Sequence, residues 1–175
     1  MKKTIKIILM AMLAAVLIIS SLVFLVIFIM FKKYGVPDSA YENGDVYIER
    51  AEDITNLDLD HGEVSRLTDT KGGFFGEGDV VLELQYSDED YQNMEDQVST
   101  QKYWKELPME EDLAERLMGL DLELPQNGYY LFYDRYKDAK SHYDYEAAKK
   151  RESKNFSVLI LDNNTNKLIY IERDT

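Results

Sequence analysis

The sequence predicts an α+β protein with an N-terminal transmembrane helix followed by one small domain that has a mainly antiparallel sheet and two helices. The first observation is an uncharged apolar run from Ile7 to Phe31. The second is that strand-like segments downstream flank two helix-like segments instead of alternating with them, which favours an antiparallel sheet. The third is length, because the roughly 140 residues after the run suffice for one hydrophobic core and not for two.

The apolar run is long enough to cross a bilayer. A helix of about 25 residues extends about 37 Å, which exceeds the roughly 30 Å of hydrocarbon, so we expect a tilted span. A cleaved secretory signal has a shorter apolar core of about 7–15 residues followed by small side chains. Here the run ends at Phe31 and is followed by Lys32 and Lys33. The pattern therefore predicts a retained signal anchor that contacts the lipid bilayer through residues 7–31.

Charge predicts how the chain is divided and oriented. Residues 1–33 form the predicted transmembrane signal anchor with basic flanks, residues 34–44 a short connector and residues 45–175 an acidic α+β domain. The N-terminal lysines favour a cytoplasmic N-terminus, so we expect a single-pass protein of the cell membrane with an extracytoplasmic domain. The chain has a net charge of −13 and no cysteine. The composition thus excludes disulfides, thiolate metal sites and cysteine-linked lipid anchors.

The first part of the domain contains two predicted strands separated by a loop. Asp45–Ala51 (DVYIERA) alternates apolar and polar residues, which predicts a short edge strand. Glu52–Gly78 is acidic and glycine-rich, and it has too few apolar residues for a regular element. It therefore predicts a long loop, and loops of this length are often functional. Asp79–Tyr86 (DVVLELQY) has the clear alternation of a strand.

Two helices are predicted after this strand. Ser87 precedes three acidic residues, which is typical of a helix N-cap followed by a first turn that suits the helix dipole. The apolar stripe of this helix consists of Tyr91, Met94 and Val98. A second helix is indicated between Pro108 at its start and Gly119 at its end.

Three strands and an ambiguous segment complete the domain. Tyr129–Tyr136 is apolar on both faces, which predicts a central strand covered by helices on one side. The charged segment that follows predicts either an exposed helix around Tyr145–Arg151 or a mobile loop. Asn155–Asp162 and Leu168–Asp174 are strand-like and are joined by a polar turn, so they predict a β-hairpin.

Several stretches of the domain resemble one family. They are DTKGGFFGEGD, WKELP, NGYYLFYDRY and NFSVLILDNNTNKLIYIERDT. Together they are similar to small, single-pass, membrane-anchored proteins of Gram-positive bacteria (Firmicutes), an uncharacterised family with no assigned function. The resemblance implies one extracytoplasmic domain on one span, and it carries over no catalytic residue to this chain. Family members tend to have histidines in the glycine segment, where this chain has Lys71 and Phe75, which weakens any site built on those imidazoles.

The glycine-rich segment Gly72–Gly78 (GGFFGEG) has the composition of an anion-binding loop. Phosphate loops and dinucleotide fingerprints, however, follow a strand and open a helix. This segment precedes a strand, so neither assignment fits. A turn or bulge that lets two phenylalanines pack on the sheet is the favoured interpretation.

The densest group of potential metal ligands is Asp58, Asp60, His61 and Glu63. Oxygen-rich groups suit calcium, but the spacing departs from that of an EF-hand loop. Counted from Asp58, the glycine comes one position early and the twelfth residue is an aspartate instead of a glutamate. A solvated acidic loop is the alternative that the abundance of acids favours.

Aromatic residues suggest a binding face. The chain has 13 tyrosines and one tryptophan, and tyrosine is enriched at recognition surfaces. The predicted binding residues are Tyr129, Tyr133, Tyr136 and Trp104. Strand propensity and core packing are the simpler explanation for the same residues. Nucleic acid is an unsuitable partner because an acidic domain is repelled by phosphates.

These observations favour a non-enzymatic, extracytoplasmic binding module for a protein, peptide or cationic partner, without a cofactor. The sequence contains neither a G-x-S-x-G nor an H-E-x-x-H motif, so no catalytic residue is assigned. The alternative from another class is a divalent-metal-dependent extracytoplasmic hydrolase that uses the loop at residues 58–77. A metal-dependent rise in melting temperature would distinguish the two.

Overall fold

A computed structural model describes residues 20–22, 42–71, 77–151 and 155–174. Of the predicted span, only residues 20–22 are described, and they are helical; the remainder of Ile7–Phe31 lies outside the described residues. No helix within the described ranges is long and apolar enough to cross a membrane. The chain divides into two compact units, Met1–Asp38 and Ser39–Thr175, and every element named from here on belongs to the second.

The described part of this second unit contains four helices and six strands. The helices are α1 (Asp45–Thr55), α2 (Asp88–Ser99), α3 (Glu111–Leu117) and α4 (Tyr145–Ala148). The strands are β1 (Glu63–Asp69), β2 (Gly78–Gln85), β3 (Lys105–Glu106), β4 (Gly128–Asp134), β5 (Phe156–Asp162) and β6 (Lys167–Asp174). The predicted α+β class is confirmed, whereas the prediction of two helices was wrong, because Asp45–Thr55 and Tyr145–Ala148 are helical as well.

All six strands form one sheet in the order β1-β2-β6-β5-β4-β3, and every pairing between them is antiparallel. The predicted mainly antiparallel sheet and the β5–β6 hairpin are thus confirmed. Because neighbours are antiparallel, β1, β6 and β4 run in the same direction. Their carboxyl ends therefore lie at the same end of the sheet.

Helices cover both faces of the sheet. One face packs against α1 and α2, which bury Tyr47, Ala51 and the predicted Tyr91, Met94 and Val98 stripe. The other face packs against α3 and α4, which bury Leu113, Leu117, Tyr145 and Ala148. The result is a three-layer arrangement with two apolar cores.

Strand β4 contributes to both cores, and this corrects one prediction. Leu131 packs in the core under α1 and α2, whereas Phe132 packs in the core under α3 and α4. The expectation that helices cover this strand on one side only was wrong. Both faces of β4 carry apolar residues because helices cover both faces of the sheet.

The cap predicted for the helix after β2 is confirmed. The Ser87 hydroxyl accepts a hydrogen bond from the Asp90 amide at 3.2 Å, and α2 begins at Asp88. Helix α3 ends at Leu117, two residues before the predicted stop at Gly119, which has a φ of +92°. Glycine adopts this left-handed conformation without the strain that a Cβ would add.

The prediction of a strand at Asp45–Ala51 was wrong, because this segment begins helix α1. Its buried apolar side chains are Tyr47, Ala51 and Ile54, and their spacing of four and three residues follows the helical period. Val46 and Ile48, which indicated a strand, are only half-buried. The apolar face of α1 continues to Ile54, beyond the end of the predicted strand. The residues Asp45–Ala51 alone are too few to show the helical period.

The prediction of one irregular loop over Glu52–Gly78 was also wrong for the described part of this range, whereas residues 72–76, where a glycine-rich turn or bulge was predicted, lie outside the described residues. The end of α1 and the whole of β1 lie within it, and β1 pairs with β2. As an edge strand β1 is largely exposed, so it lacks the apolar alternation that marks a strand in sequence. The charged segment near Tyr145–Arg151 does contain a helix, α4, but Tyr145 and Ala148 are buried and the helix is not simply exposed.

Candidate binding site

The end of the sheet shared by the carboxyl ends of β1, β4 and β6 gathers charged side chains. Lys71 follows β1, Arg135 follows β4, and β6 ends with Glu172 and Asp174. Arg50 reaches the same place from α1. These five residues are called the charged cluster. Strand alternation places Glu172 and Asp174 on the same face as Tyr170, which packs in the core beneath α1.

Glu172 is the centre of the charged cluster. Nη1 of Arg50 donates to both oxygens of the Glu172 carboxylate, at 3.0 and 3.1 Å. The Lys71 ammonium donates to the same carboxylate, the Tyr170 hydroxyl donates to it at 2.5 Å, and Nη1 of Arg135 lies 3.6 Å away. A fully buried carboxylate is thus surrounded by three cations and one hydroxyl.

Asp174 forms a second, shallower layer. Its carboxylate accepts from Nη2 of Arg135, and one of its oxygens lies 2.8 Å from Nζ of Lys71. Lys71 and Arg135 therefore each bridge two carboxylates. Such bridging fixes the positions of the cations more firmly than a single surface ion pair does.

The ionisation of Glu172 follows from these contacts. Burial alone would raise the pKa of this carboxyl, but the Arg135 guanidinium, the Lys71 ammonium and the Tyr170 hydroxyl outweigh burial and lower its pKa to about 2. Burial is the main cause that raises the pKa of Tyr170, and the neighbouring Glu172 carboxylate raises it further. At neutral pH the cluster therefore contains an ionised Glu172 and a protonated Tyr170.

The charged cluster opens into a concavity of about 430 Å³, called the charged pocket. Its other lining residues are Asp53, Ile54, Tyr133 and Tyr170. The side chains of Arg50, Lys71 and Arg135 are 42%, 17% and 23% exposed, whereas those of Glu172 and Asp174 are 0% and 15% exposed. On average the cations thus lie nearer to solvent than the carboxylates do.

Stacked aromatic rings adjoin the charged pocket. Tyr103 and Tyr143 stack with centroids 4.0 Å apart and planes at 9°, and Tyr133 stacks on His142 at 5.0 Å and 13°. Tyr133 also meets Tyr143 edge to face at 5.5 Å. These four residues are called the aromatic cluster. Tyr133 belongs to both features, so the cluster and the pocket form one continuous surface.

Hydrogen bonds fix the aromatic cluster to the fold. The Tyr143 hydroxyl donates to the Ile54 carbonyl oxygen at 3.1 Å, which ties the cluster to α1. Nδ1 of His142 lies 2.7 Å from the Asp134 carbonyl oxygen, and the Asp134 amide donates to the His142 carbonyl oxygen at 2.6 Å. The segment that contains His142 is therefore held against the end of β4. A fixed stack of this kind loses little entropy when a ligand contacts it.

The four predicted binding residues lie in different places, and only Tyr133 belongs to this surface. Trp104 is buried in the core, and Tyr129 packs against that core. Tyr136 is exposed, but its ring lies under the Arg151 guanidinium, 4.8 Å from the centroid. The structure thus places these residues in the core and at two separate positions of the surface.

The predicted metal ligands are brought together in part. Carboxylate oxygens of Asp58 and Asp60 lie within 4.8 Å of each other and of Glu52, a residue that the sequence did not single out. His61 and Glu63 are not members of this group. The Leu59 amide donates to Glu52 at 2.9 Å, and the Asp60 amide donates to Asp58 at 3.2 Å. These bonds explain two of the carboxylate positions without an ion.

The charged cluster was missed because its members are far apart in the sequence. Arg50 lay in the predicted strand Asp45–Ala51, and Arg135 lay in the predicted strand Tyr129–Tyr136, where neither stood out as a site residue. One signal was present: Leu168, Tyr170 and Glu172 continue one strand face, so a buried carboxylate could be expected at its end. No protein-family model, no curated protein and no solved structure matches the chain. The function proposed below therefore rests on the geometry of this surface.

Proposed function

We propose that this chain is a membrane-anchored, non-enzymatic binding module that displays its acidic domain on the extracytoplasmic side of the cell membrane and binds a protein or peptide there. The supporting observation is the continuous surface formed by the aromatic cluster and the charged pocket. It combines stacked tyrosines with partly exposed arginines, the residue types that are enriched at recognition sites.

The anchoring part of this proposal rests on the sequence. The run Ile7–Phe31 is uncharged and as long as a membrane span, and lysines flank it on both sides. The basic residues before it favour a cytoplasmic N-terminus. The domain that follows the anchor is therefore proposed to act close to the outer surface of the cell membrane.

The chemistry of the charged pocket supports binding in preference to catalysis. A general base works best with a pKa near the working pH. The pKa of Glu172 is about 2, so its carboxylate is a poor proton acceptor at neutral pH. The raised pKa of Tyr170 makes its hydroxyl a poor nucleophile. Both groups instead serve to fix the positions of the cations.

The charge of the chain bears on the partner. The net charge of −13 attracts cationic proteins or peptides and speeds their encounter with the domain. Once a partner arrives, stacked tyrosines offer large contact area at low entropic cost. The proposed partner is therefore basic overall and contacts the aromatic cluster.

The alternative function, a divalent-metal-dependent hydrolase, has one supporting observation. Carboxylates of Glu52, Asp58 and Asp60 converge within 4.8 Å, and oxygen ligands suit calcium. The backbone hydrogen bonds to Glu52 and Asp58 explain the convergence equally well. Binding at the aromatic cluster remains the function that the geometry supports best.

Site-specific photocrosslinking in intact cells tests the binding proposal. A benzophenone amino acid replaces Tyr103 in the aromatic cluster, and a matched variant carries it at Met118, which is also exposed but follows α3. We expect a crosslinked adduct from position 103 and none from position 118. Equal adducts at both positions, or none at either, would contradict a partner-binding surface at the aromatic cluster.

A further inference from the structure

We propose that the charged pocket binds a carboxylate of the partner, and that the flat group next to this carboxylate lies against the aromatic cluster. This inference rests on the proposed binding function and specifies its chemistry. The observations that support it are the layering of charge, the donor geometry of the cations and the position of Tyr133 between the two features.

The layering of charge places Arg50 in the outer part of the pocket and Glu172 at its base. Glu172 is fully buried, whereas Arg50, the most exposed of the cations, contacts it from the solvent side. An incoming anion therefore meets the Arg50 guanidinium before it meets Glu172, and Asp53 is the carboxylate at the rim. The buried anions fix those cations in advance, so a ligand need not order them.

The formal charges favour a monoanion over a dianion. Three cations, Arg50, Lys71 and Arg135, face two carboxylates, Glu172 and Asp174. One positive charge remains within the charged cluster, and the exposed Asp53 carboxylate on the rim balances it across the whole pocket, so a ligand carboxylate binds by pairing with the cations and not by neutralising an excess charge. A dianionic phosphate would leave an excess of negative charge in a partly desolvated site, where unpaired charge is costly.

Donor capacity remains for such a ligand. An ammonium has three hydrogens, and the contacts of Lys71 with Glu172 and Asp174 account for two of them. Planar guanidinium groups also match the geometry of a carboxylate better than a point charge does.

The shape of the surface favours a carboxylate with a flat neighbour. The pocket volume of about 430 Å³ is in the range of sites for small molecules or single peptide residues. Tyr133 lines the pocket and stacks within the aromatic cluster. An aromatic ring attached to the carboxylate can therefore contact Tyr133 while the carboxylate pairs with the cations.

Asp53 on the rim provides a substitution that should change anion binding in the opposite direction to a substitution of Arg50. It lies on α1 three residues after Arg50, lines the pocket and is exposed. Its charge repels an incoming carboxylate. Removing that charge should tighten the binding of an anion, whereas removing the charge of Arg50 should weaken it.

The experiment measures benzoate binding to the full-length chain in non-ionic detergent by ligand-observed NMR, with benzamide as the neutral probe of the same shape. We expect benzoate to bind about tenfold more tightly than benzamide, and Arg50→Gln to weaken benzoate binding by about tenfold. Asp53→Asn should tighten it severalfold. Arg66→Gln is the matched control, because Arg66 pairs with Glu83 at a comparable exposure outside this pocket.

Three results would overturn the inference. They are equal binding of benzoate and benzamide, an equal loss in Arg50→Gln and Arg66→Gln, and phenyl phosphate binding more tightly than benzoate. Unchanged fluorescence of Trp104 shows that each variant is folded. If crosslinking at position 103 persists while benzoate fails to bind, the carboxylate assignment fails alone; if both fail, the binding function fails with it.

Discussion

Replacing Glu172 by glutamine should destabilise the domain more than any other single loss of charge within the charged cluster. The variant keeps the size of the side chain but removes the anion that Arg50, Lys71 and Arg135 surround. Those cations then repel one another and lose their shared partner. Removing one partner of a buried ion pair typically costs about 3–5 kcal/mol.

The pKa of Glu172 gives an independent magnitude. It lies at about 2 in the folded protein, against an ordinary glutamate value of 4.5. That difference corresponds to on the order of 3 kcal/mol of folding stability at neutral pH. Both routes therefore predict that Glu172→Gln lowers the free energy of unfolding by about 3 kcal/mol.

The same shift predicts the pH dependence. Because the folded pKa is lowered, the contribution of Glu172 is fully present above its unfolded pKa of 4.5 and is lost as the pH falls toward about 2. The wild-type chain should therefore lose on the order of 3 kcal/mol through this group across that window. The glutamine variant should lack this component of the acid dependence.

Urea denaturation of the full-length chain in non-ionic detergent measures both effects. The single tryptophan, Trp104, is buried in the core and reports unfolding by its fluorescence. Glu115→Gln, which neutralises an exposed glutamate of α3, is the control and should change the unfolding free energy by less than about 0.5 kcal/mol. A loss of less than about 1 kcal/mol in Glu172→Gln, or the same acid dependence in both chains, would refute the reasoning.

Four further predictions follow from other parts of the chain. Gly128→Ala should cost about 2–4 kcal/mol of stability in the same denaturation assay, because its φ is +128° and a Cβ would lie 2.0 Å from a carbonyl oxygen of β5. Ser87→Ala should cost about 1 kcal/mol through the lost helix cap, whereas Ser99→Ala at the other end of α2 should cost less. Calcium should raise the melting temperature no more than sodium chloride of equal ionic strength does; a calcium-specific rise that Asp60→Asn removes would favour the hydrolase. External protease should remove a tag placed after Thr175 from intact cells, and protection until lysis would contradict an extracytoplasmic domain.

Elements with a strong local pattern were predictable from the sequence. Strand β2 and the hairpin β5–β6 bury consecutive residues on both faces, and most of these residues are apolar, so their apolar runs are visible in short windows. Helix α2 combines a serine cap with a spaced apolar stripe. In these segments local propensity and the final fold agree.

The errors came from segments whose environment depends on distant parts of the chain. Helix α1 was assigned as a strand because Val46 and Ile48 mimic alternation, whereas the residues that the sheet buries are Tyr47, Ala51 and Ile54. Strand β1 exposes most of its residues, so hydrogen bonds to β2 define it and side-chain burial does not. No local pattern reports such pairing.

The candidate site was predictable only in its tyrosine component. Tyr133 was selected for its residue type, which is how recognition surfaces are usually noticed in sequence. The charged cluster depends on the parallel directions of β1, β4 and β6, which bring Lys71, Arg135 and Glu172 to the same end. Strand order is a property of the whole fold, so spacing along the chain does not reveal it.

The place of β6 in the middle of the sheet also has a consequence for synthesis. Strand β2 pairs with β6, and Gln85 lies opposite Lys167, so the partner of β2 is translated roughly 80 residues later. At about 5–20 residues per second, the β1–β2 hairpin waits about 4–16 seconds for the strand that joins it to the rest of the sheet. During that interval the apolar face of β2 is open to other chains. A chaperone that covers nascent β-hairpins should therefore associate with this protein before Lys167 emerges, and should leave once β6 is inserted.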